Sequence, residues 1–182
     1  MESMLKLNET ISPSCSLGSF LVDPEMNPTS FSSLLRGPEY LLCLFSSFSF
    51  EKRGEENTME HLIVQVNRRL AFFTSRDIRV VIINREIPLT NKVWAERRSL
   101  EIEVYADPQL KIVGEIVGIR DITETNLHLK EGVDFHQPHA LPKPGAFVFD
   151  KLGTLKSKLT IPDLNNITAT CRDVERICGI SG

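Results

Sequence analysis

Cysteine is missing from the long central stretch of this chain: none occurs between Cys43 and Cys171. The four present, Cys15, Cys43, Cys171 and Cys178, form no Cys-x-x-Cys pair and no zinc-ribbon spacing. That excludes the common dithiol and structural-zinc motifs. In a reducing compartment they read as free thiols. An excess of positive charge is also missing. Lys and Arg number 21 against 24 Asp and Glu, for a formal charge of −3, so no basic field recruits nucleic acid or anionic lipid. No apolar run approaches the roughly 20 residues of a membrane helix; the longest, 40–50, is broken by Ser46, Ser47 and Ser49. The opening string MESMLKLNETISPS lacks a charged start followed by an apolar core. The expectation is therefore no secretory signal and a cytoplasmic protein. There is also no Gly-x-Ser-x-Gly elbow for a serine nucleophile.

What is present is ordinary globular material. The 182 residues are 41% apolar and 25% charged, enough for one domain with a sizeable core. Residues 1–16 read as a loose lead-in, and 17–182 as a single domain. Leu17–Val22 reads as a short strand, and the Asp23–Pro28 cluster as a turn. Ser30–Leu35 reads as one helical turn. The continuous apolar run Tyr40–Phe45 suits a strand buried on both faces. A helix is expected over 55–75, with Met59, Leu62, Ile63, Val66, Leu70 and Phe73 on one face. Ile78–Asn84 is a second buried strand. Thr90 is expected to cap a helix through Arg98. Glu101–Ala106 alternates as a strand, and Asp107-Pro108 is expected to open a helix to about Ile116. The stretch 118–143 has the least pattern. Ala146–Phe149, a turn at Asp150–Gly153 and Thr154–Leu159 form a hairpin, and 163–180 a final helix. Alternating strands and helices followed by a hairpin and a helix predict an α/β fold with a central mixed sheet covered on both faces.

That order, with several strings, resembles the alkyl hydroperoxide reductase/thiol-specific antioxidant (peroxiredoxin-like) branch of the thioredoxin fold. The strings are Leu44-Phe45 ending the first core strand, IRVVIIN at 78–84, Lys92-Val93-Trp94, VYADP at 104–108 and PGAFVFDKLGTL at 144–155. The resemblance runs from about Leu17 to Ile180. It implies a thioredoxin-like three-layer α/β/α sandwich, a thiol-dependent antioxidant oxidoreductase ancestry without a bound cofactor, and a tendency to form homodimers. It also places Pro144 where such folds carry a cis-proline beside the site.

The departure lies at the site itself. The family follows its first core strand with Pro-x-x-x-Thr-x-x-Cys. Aligned without gaps from Phe45, Ser47 stands at the proline, Glu51 at the threonine and Gly54 at the cysteine. A thioredoxin-style alignment puts Phe50 and Arg53 near the Cys-x-x-Cys pair, again without sulfur. Glu55 and Glu56 beside such a site would raise a thiol pKa rather than lower it.

Other candidates have weaker patterns. Cys43, in a Leu41/Cys43/Phe45 alternation, reads as a small core hydrophobe or as a displaced redox cysteine. Cys178 is the second displaced candidate. Cys171, seven residues earlier on one helix, lies about 10.5 Å away along the axis, too far for a disulfide. Asp134, His136 and His139 offer two histidines and a carboxylate, but Pro138 interrupts the pair and no fourth zinc ligand is evident. Arg68, Arg69, Arg76, Arg79, Arg85, Arg97 and Arg98 read as solvated helix ends and strand edges, without the aromatics that stack nucleic-acid bases. Phe48 and Phe50 either pack inward or form a contact patch with Glu51, Lys52 and Pro144.

Two functional readings follow from different classes. One is a non-catalytic binding or assembly module, with a protein partner at the Ser46–Gly54 loop. The other is a peroxide-reducing enzyme using Cys43 or Cys178. A metal-binding loop at His136 and His139 is a third.

Overall fold

The computed structural model describes residues 5–46, 58–121, 140–160 and 167–179. Among them the chain order is α1 (Pro13–Gly18), β1 (Phe20–Val22), β2 (Pro28–Ser30), α2 (Phe31–Leu34), β3 (Tyr40–Phe45), α3 (Thr58–Arg68), α4 (Leu70–Thr74), β4 (Ile78–Asn84) and α5 (Pro88–Arg98). Then come β5 (Glu103–Ala106), α6 (Lys111–Ile116), β6 (Ile119–Asp121), β7 (Ala140–Pro142), β8 (Gly145–Asp150), β9 (Leu155–Thr160) and α7 (Ile167–Ile177).

Seven strands form one mixed sheet in the order β2-β1-β5-β4-β3-β8-β9. β3, β4 and β5 run parallel, and β8 lies antiparallel to β3 with Phe45 opposite Gly145. The period-two geometry of strands divides the core. Leu41, Cys43, Phe45, Val81, Ile83, Phe147 and Phe149 join α1, α2 and α6 on one face. Leu42, Leu44, Val80, Ile82, Ala146 and Val148 join α3, α4 and α7 on the other. Both faces being covered explains why β3 and β4 are apolar throughout. The result is the expected three-layer α/β/α sandwich. Among the described residues, no helix is long and apolar enough to cross a membrane.

Several local expectations need correction. The loose lead-in is packed from Leu5 onward: Leu5, Ile11 and Cys15 are buried, Asn8 N–H donates to Leu155 O, and Leu155 N–H donates to Glu9 O. Ser12 anchors it by donating its backbone N–H and its hydroxyl to Glu115. Polar spacing hid three buried apolar contacts. The long helix breaks at Arg69, whose backbone is non-helical and whose N–H bonds Val66 O, three residues back; the apolar spacing continues through the break and cannot reveal it. The helix after β4 begins at Pro88, not Thr90, because Pro fixes φ and needs no N–H partner at the first position. Asp107 does not start α6. A turn intervenes, Leu110 adopts the left-handed region at φ 54°, and the helix begins at Lys111. Within the patternless stretch, β6 and β7 form a two-stranded antiparallel ribbon. No cis peptide bond occurs among the described residues, so the bond before Pro144 is trans.

Candidate functional site

Open parallel sheets present their sites at the carboxyl ends of the strands. Here that edge is made by Ser46 after β3, Asn84 ending β4, Asp107 after β5, and Pro144-Gly145 entering β8. Backbone bonds hold it together: Ser46 N–H donates to Ile83 O at 3.2 Å, and Asp107 N–H to Asn84 O at 2.7 Å. Gly145 is required by space. A Cβ there would stand 2.7 Å from Phe147 Cε2 and 3.1 Å from the Leu159 carbonyl oxygen. Beneath it, Phe45 and Phe147 meet edge to face with centroids 5.5 Å apart.

Four polar residues at this edge, Ser46, Asn84, Asn91 and Asp107, are fully buried. Asn84 and Asn91 exchange amide hydrogen bonds, Nδ2 to Oδ1, at 2.8 and 3.1 Å, and Asn84 Oδ1 also accepts from Glu86 N–H. This pair ties the first turns of α5 to the end of β4. Asp107 Oδ2 accepts from Val113 N–H at 2.8 Å, while Oδ1 has no partner. Burial raises the Asp107 pKa, and backbone N–H groups at the start of α6 oppose that shift without cancelling it. The Ser46 hydroxyl is also buried and without a hydrogen-bond partner.

Of the positions aligned with the peroxidatic loop, Ser47, Phe50, Glu51 and Gly54 lie outside the described residues, as do Asp134, His136 and His139. Pro144 is half-buried at the sheet edge. The two displaced-cysteine candidates are not brought together. Cys43 sits mid-strand, opposite Val81 and Phe147, with no solvent exposure. Burial pushes its thiol well up, and the opposing pull of Arg79 is weaker. That guanidinium is engaged elsewhere, with Glu103, the Tyr105 hydroxyl and the Leu34 carbonyl. Cys178, half-buried after α7, has its thiol pushed up to about 12, by burial first and by Glu175 second. Cys15, which sequence reasoning left in the lead-in, is also buried with its thiol at about 12, through burial and then Glu115. Cys15, Cys43 and Cys178 are all unbridged.

Most of the arginine segment is accounted for by local pairs. Arg69 pairs with Glu175, Arg79 with Glu103 and Arg98 with Glu60, and Arg69 and Arg76 stack on Phe72. Sequence reasoning missed the Asn84–Asn91 pair and the buried Asp107. The seven-residue Asn spacing across a strand end and a helix start was a usable signal for the first.

No sequence family and no curated protein matches this chain. Solved structures do match in fold. A peroxidoxin, BcpB, from Mycobacterium tuberculosis superposes with a TM-score of 0.67 at 14% identity, covering 98% of this chain and 99% of that one. A PrxQ variant from Xylella fastidiosa gives 0.64 at 8% identity, covering 96% and 98%. The mitochondrial 2-Cys peroxiredoxin of Plasmodium falciparum gives 0.59 at 13% identity, covering 96% and 95%. The chain has a peroxiredoxin-like thioredoxin fold across nearly its whole length.

Proposed function

We propose that this chain is a peroxiredoxin-like protein without the standard redox site, and that it acts as a non-catalytic binding or assembly module through the carboxyl edge of its sheet. The observation that supports this reading is the state of the three described sulfurs, Cys15, Cys43 and Cys178. Peroxide reduction needs a thiolate to attack one peroxide oxygen, forming S–OH as the O–O bond breaks. Burial and Glu175 push the Cys178 thiol up to about 12, so its thiolate is strongly disfavoured at pH 7. Cys15 and Cys43 are buried besides, and the sequence places no cysteine from 44 to 170. Among the described residues of the carboxyl edge, Ser46 is buried without a base, and Asn84 and Asn91 are committed to each other.

The partner surface in this reading is the Ser46–Gly54 loop with Pro144 opposite. Phe48 and Phe50 supply apolar contact there, and Glu51 and Lys52 supply orientation. Self-association into a homodimer belongs to the same proposal. The competing enzyme reading would use Cys178, the one half-buried thiol among the described residues whose side chain is placed. A peroxide-consumption assay with a dithiol reductant separates the two. The binding reading expects consumption equal to reductant alone. Saturable consumption abolished by Cys178→Ser or Cys43→Ser overturns it.

A further inference from the structure

Residues 5–12 lie as a strap across the turn of the β8–β9 hairpin and one end of α6. Leu5 and Ile11 are buried, while Lys6, Leu7, Asn8, Glu9 and Thr10 between them are exposed. Backbone bonds fasten the middle: Asn8 N–H donates to Leu155 O, Leu155 N–H to Glu9 O, and Ile11 N–H to Gly153 O. The floor beneath is apolar. A Cβ built on Gly153 would meet Ile11 at 3.0 Å and Leu35 at 3.2 Å, and Ile11, Leu35 and Leu155 belong to one buried cluster.

One carboxylate holds the end of the strap. Glu115 on α6 is half-buried; its Oε1 accepts the Ser12 backbone N–H, and its Oε2 accepts the Ser12 hydroxyl at 2.8 Å. No ion pair offsets the Glu115 charge among the described residues. The same hydroxyl lies 3.1 Å from Ser14 Oγ and accepts the Cys15 N–H at 3.2 Å. Ser12 is also singular in the sequence: of the ten prolines, Pro13 alone follows a Ser or Thr. The proline holds the residue before it extended, and Ser12 has φ −60° and ψ 143°. The Pro13 ring is exposed and Ser12 is half-buried. A hydroxyl on extended backbone, next to an exposed proline, has the form that proline-directed protein kinases read.

We propose that Ser12 is a phosphorylation site for a proline-directed kinase, and that its phosphoryl group unlatches the strap. The Ser12 oxygen attacks the γ-phosphorus of ATP. The new O–P bond forms as the bond to the bridging oxygen breaks, ADP leaves, and the hydroxyl proton passes to the base of the kinase. The product puts acceptor oxygens and a charge of about −1.5 to −2 where Glu115 now receives a donor. Glu115 loses its hydrogen bond and meets a like charge in its place. Lys111, exposed and one turn before Glu115 on α6, is the group that opposes release. The outcome is a local opening: Ile11 leaves Leu35 and Leu155, and an apolar face is uncovered. This inference stands apart from the binding reading above.

The test treats the full chain with a proline-directed kinase and magnesium ATP, then reads intact mass, the modified peptide and amide hydrogen exchange. Expected is the mass of one added phosphoryl group, mapped to Ser12 and absent in Ser12→Ala. In the phosphorylated protein the amides of Asn8, Ile11 and Leu155 should exchange about tenfold faster or more, with the amides of β4 unchanged. Ser12→Glu should reproduce part of that acceleration without a kinase. Glu115→Gln keeps an acceptor but removes the charge, so phosphorylation on that background should accelerate exchange less. No phosphoryl group at Ser12 overturns the proposal. So does a phosphorylated protein whose strap amides exchange no faster, which would assign the phosphate to Lys111 with the strap closed. An acceleration just as large in Glu115→Gln overturns the latch, because the carboxylate would then have no part in it.

Discussion

β3 and α5 follow opposite rules. In β3, Leu41 through Phe45 are apolar and buried on both faces, and even the cysteine behaves as a hydrophobe. In α5, the asparagine is inside and the leucine and valine are outside. The strand is explained by folding alone: sandwiched between two helical layers, it has no surface on which a polar residue could be solvated. The helix is not explained by folding alone, because a Leu at position 91 and an Asn at 89 would satisfy burial more simply. It is held to β4 by the two buried amide hydrogen bonds between Asn91 and Asn84.

That contrast can be broken by substitution. The largest effect belongs to the strand core. Phe147→Ala removes a fully buried ring packed edge to face on Phe45 and is expected to cost about 3–5 kcal/mol in urea unfolding; a loss under about 1 kcal/mol would refute close packing there. Gly145→Ala comes next, at about 1–3 kcal/mol, because its Cβ meets Phe147 and the Leu159 carbonyl. Placing it on a Phe147→Leu background removes the nearer clash, so the loss should shrink.

On α5 the order of sensitivity should invert. Asn91→Ala leaves a buried amide of Asn84 half-paired and is expected to cost about 1–3 kcal/mol. Leu89→Ser, two residues away, should stay within about 0.5 kcal/mol. If the leucine proves the more sensitive, α5 does not turn Asn91 inward and Leu89 outward as described. The smallest effect concerns Asp107. Its carboxyl pKa is raised in the fold above the ordinary 3.8, so the protonated form is the one the fold favours. That contribution is fully present below pH 3.8 and is lost as pH rises through the folded-state value. Asp107→Asn should therefore remove a component that falls with rising pH across that window, seen as a flatter stability curve. Equal pH slopes in the wild type and in Asp107→Asn across that window would contradict the assignment.

Much of this architecture was legible because burial writes itself into composition. The runs 40–45 and 78–84 have no polar residue to spare, and the hairpin around Asp150–Gly153 is punctuated by turn chemistry that its Asp150 bonds to Leu152 and Thr154 N–H bear out. What stayed hidden depends on contacts between distant segments. Ser12 on Glu115 fixes the lead-in, yet neither residue is unusual in its own window. The start of α6 was displaced because Asp107 caps from across a turn, reaching Val113 rather than the residues next to it. The absence of cysteine between 43 and 171 is readable from the chain, but the burial that raises the pKa of Cys43 and Cys15 needs the sheet and α1 in place. The inward side of α5 is not legible in its own window, because Asn91 is buried by its pairing with Asn84 on β4.

The central claim is that this fold carries no working thiol. It is tested most directly by intact-mass analysis of the reduced protein after brief low-dose peroxide in the presence of a sulfenic-acid trap. The account predicts no adduct under native conditions, with four thiols alkylated after unfolding. A rapid single adduct at Cys43 or Cys178, lost in the corresponding serine variant, would contradict it and make the chain an antioxidant enzyme with a displaced nucleophile.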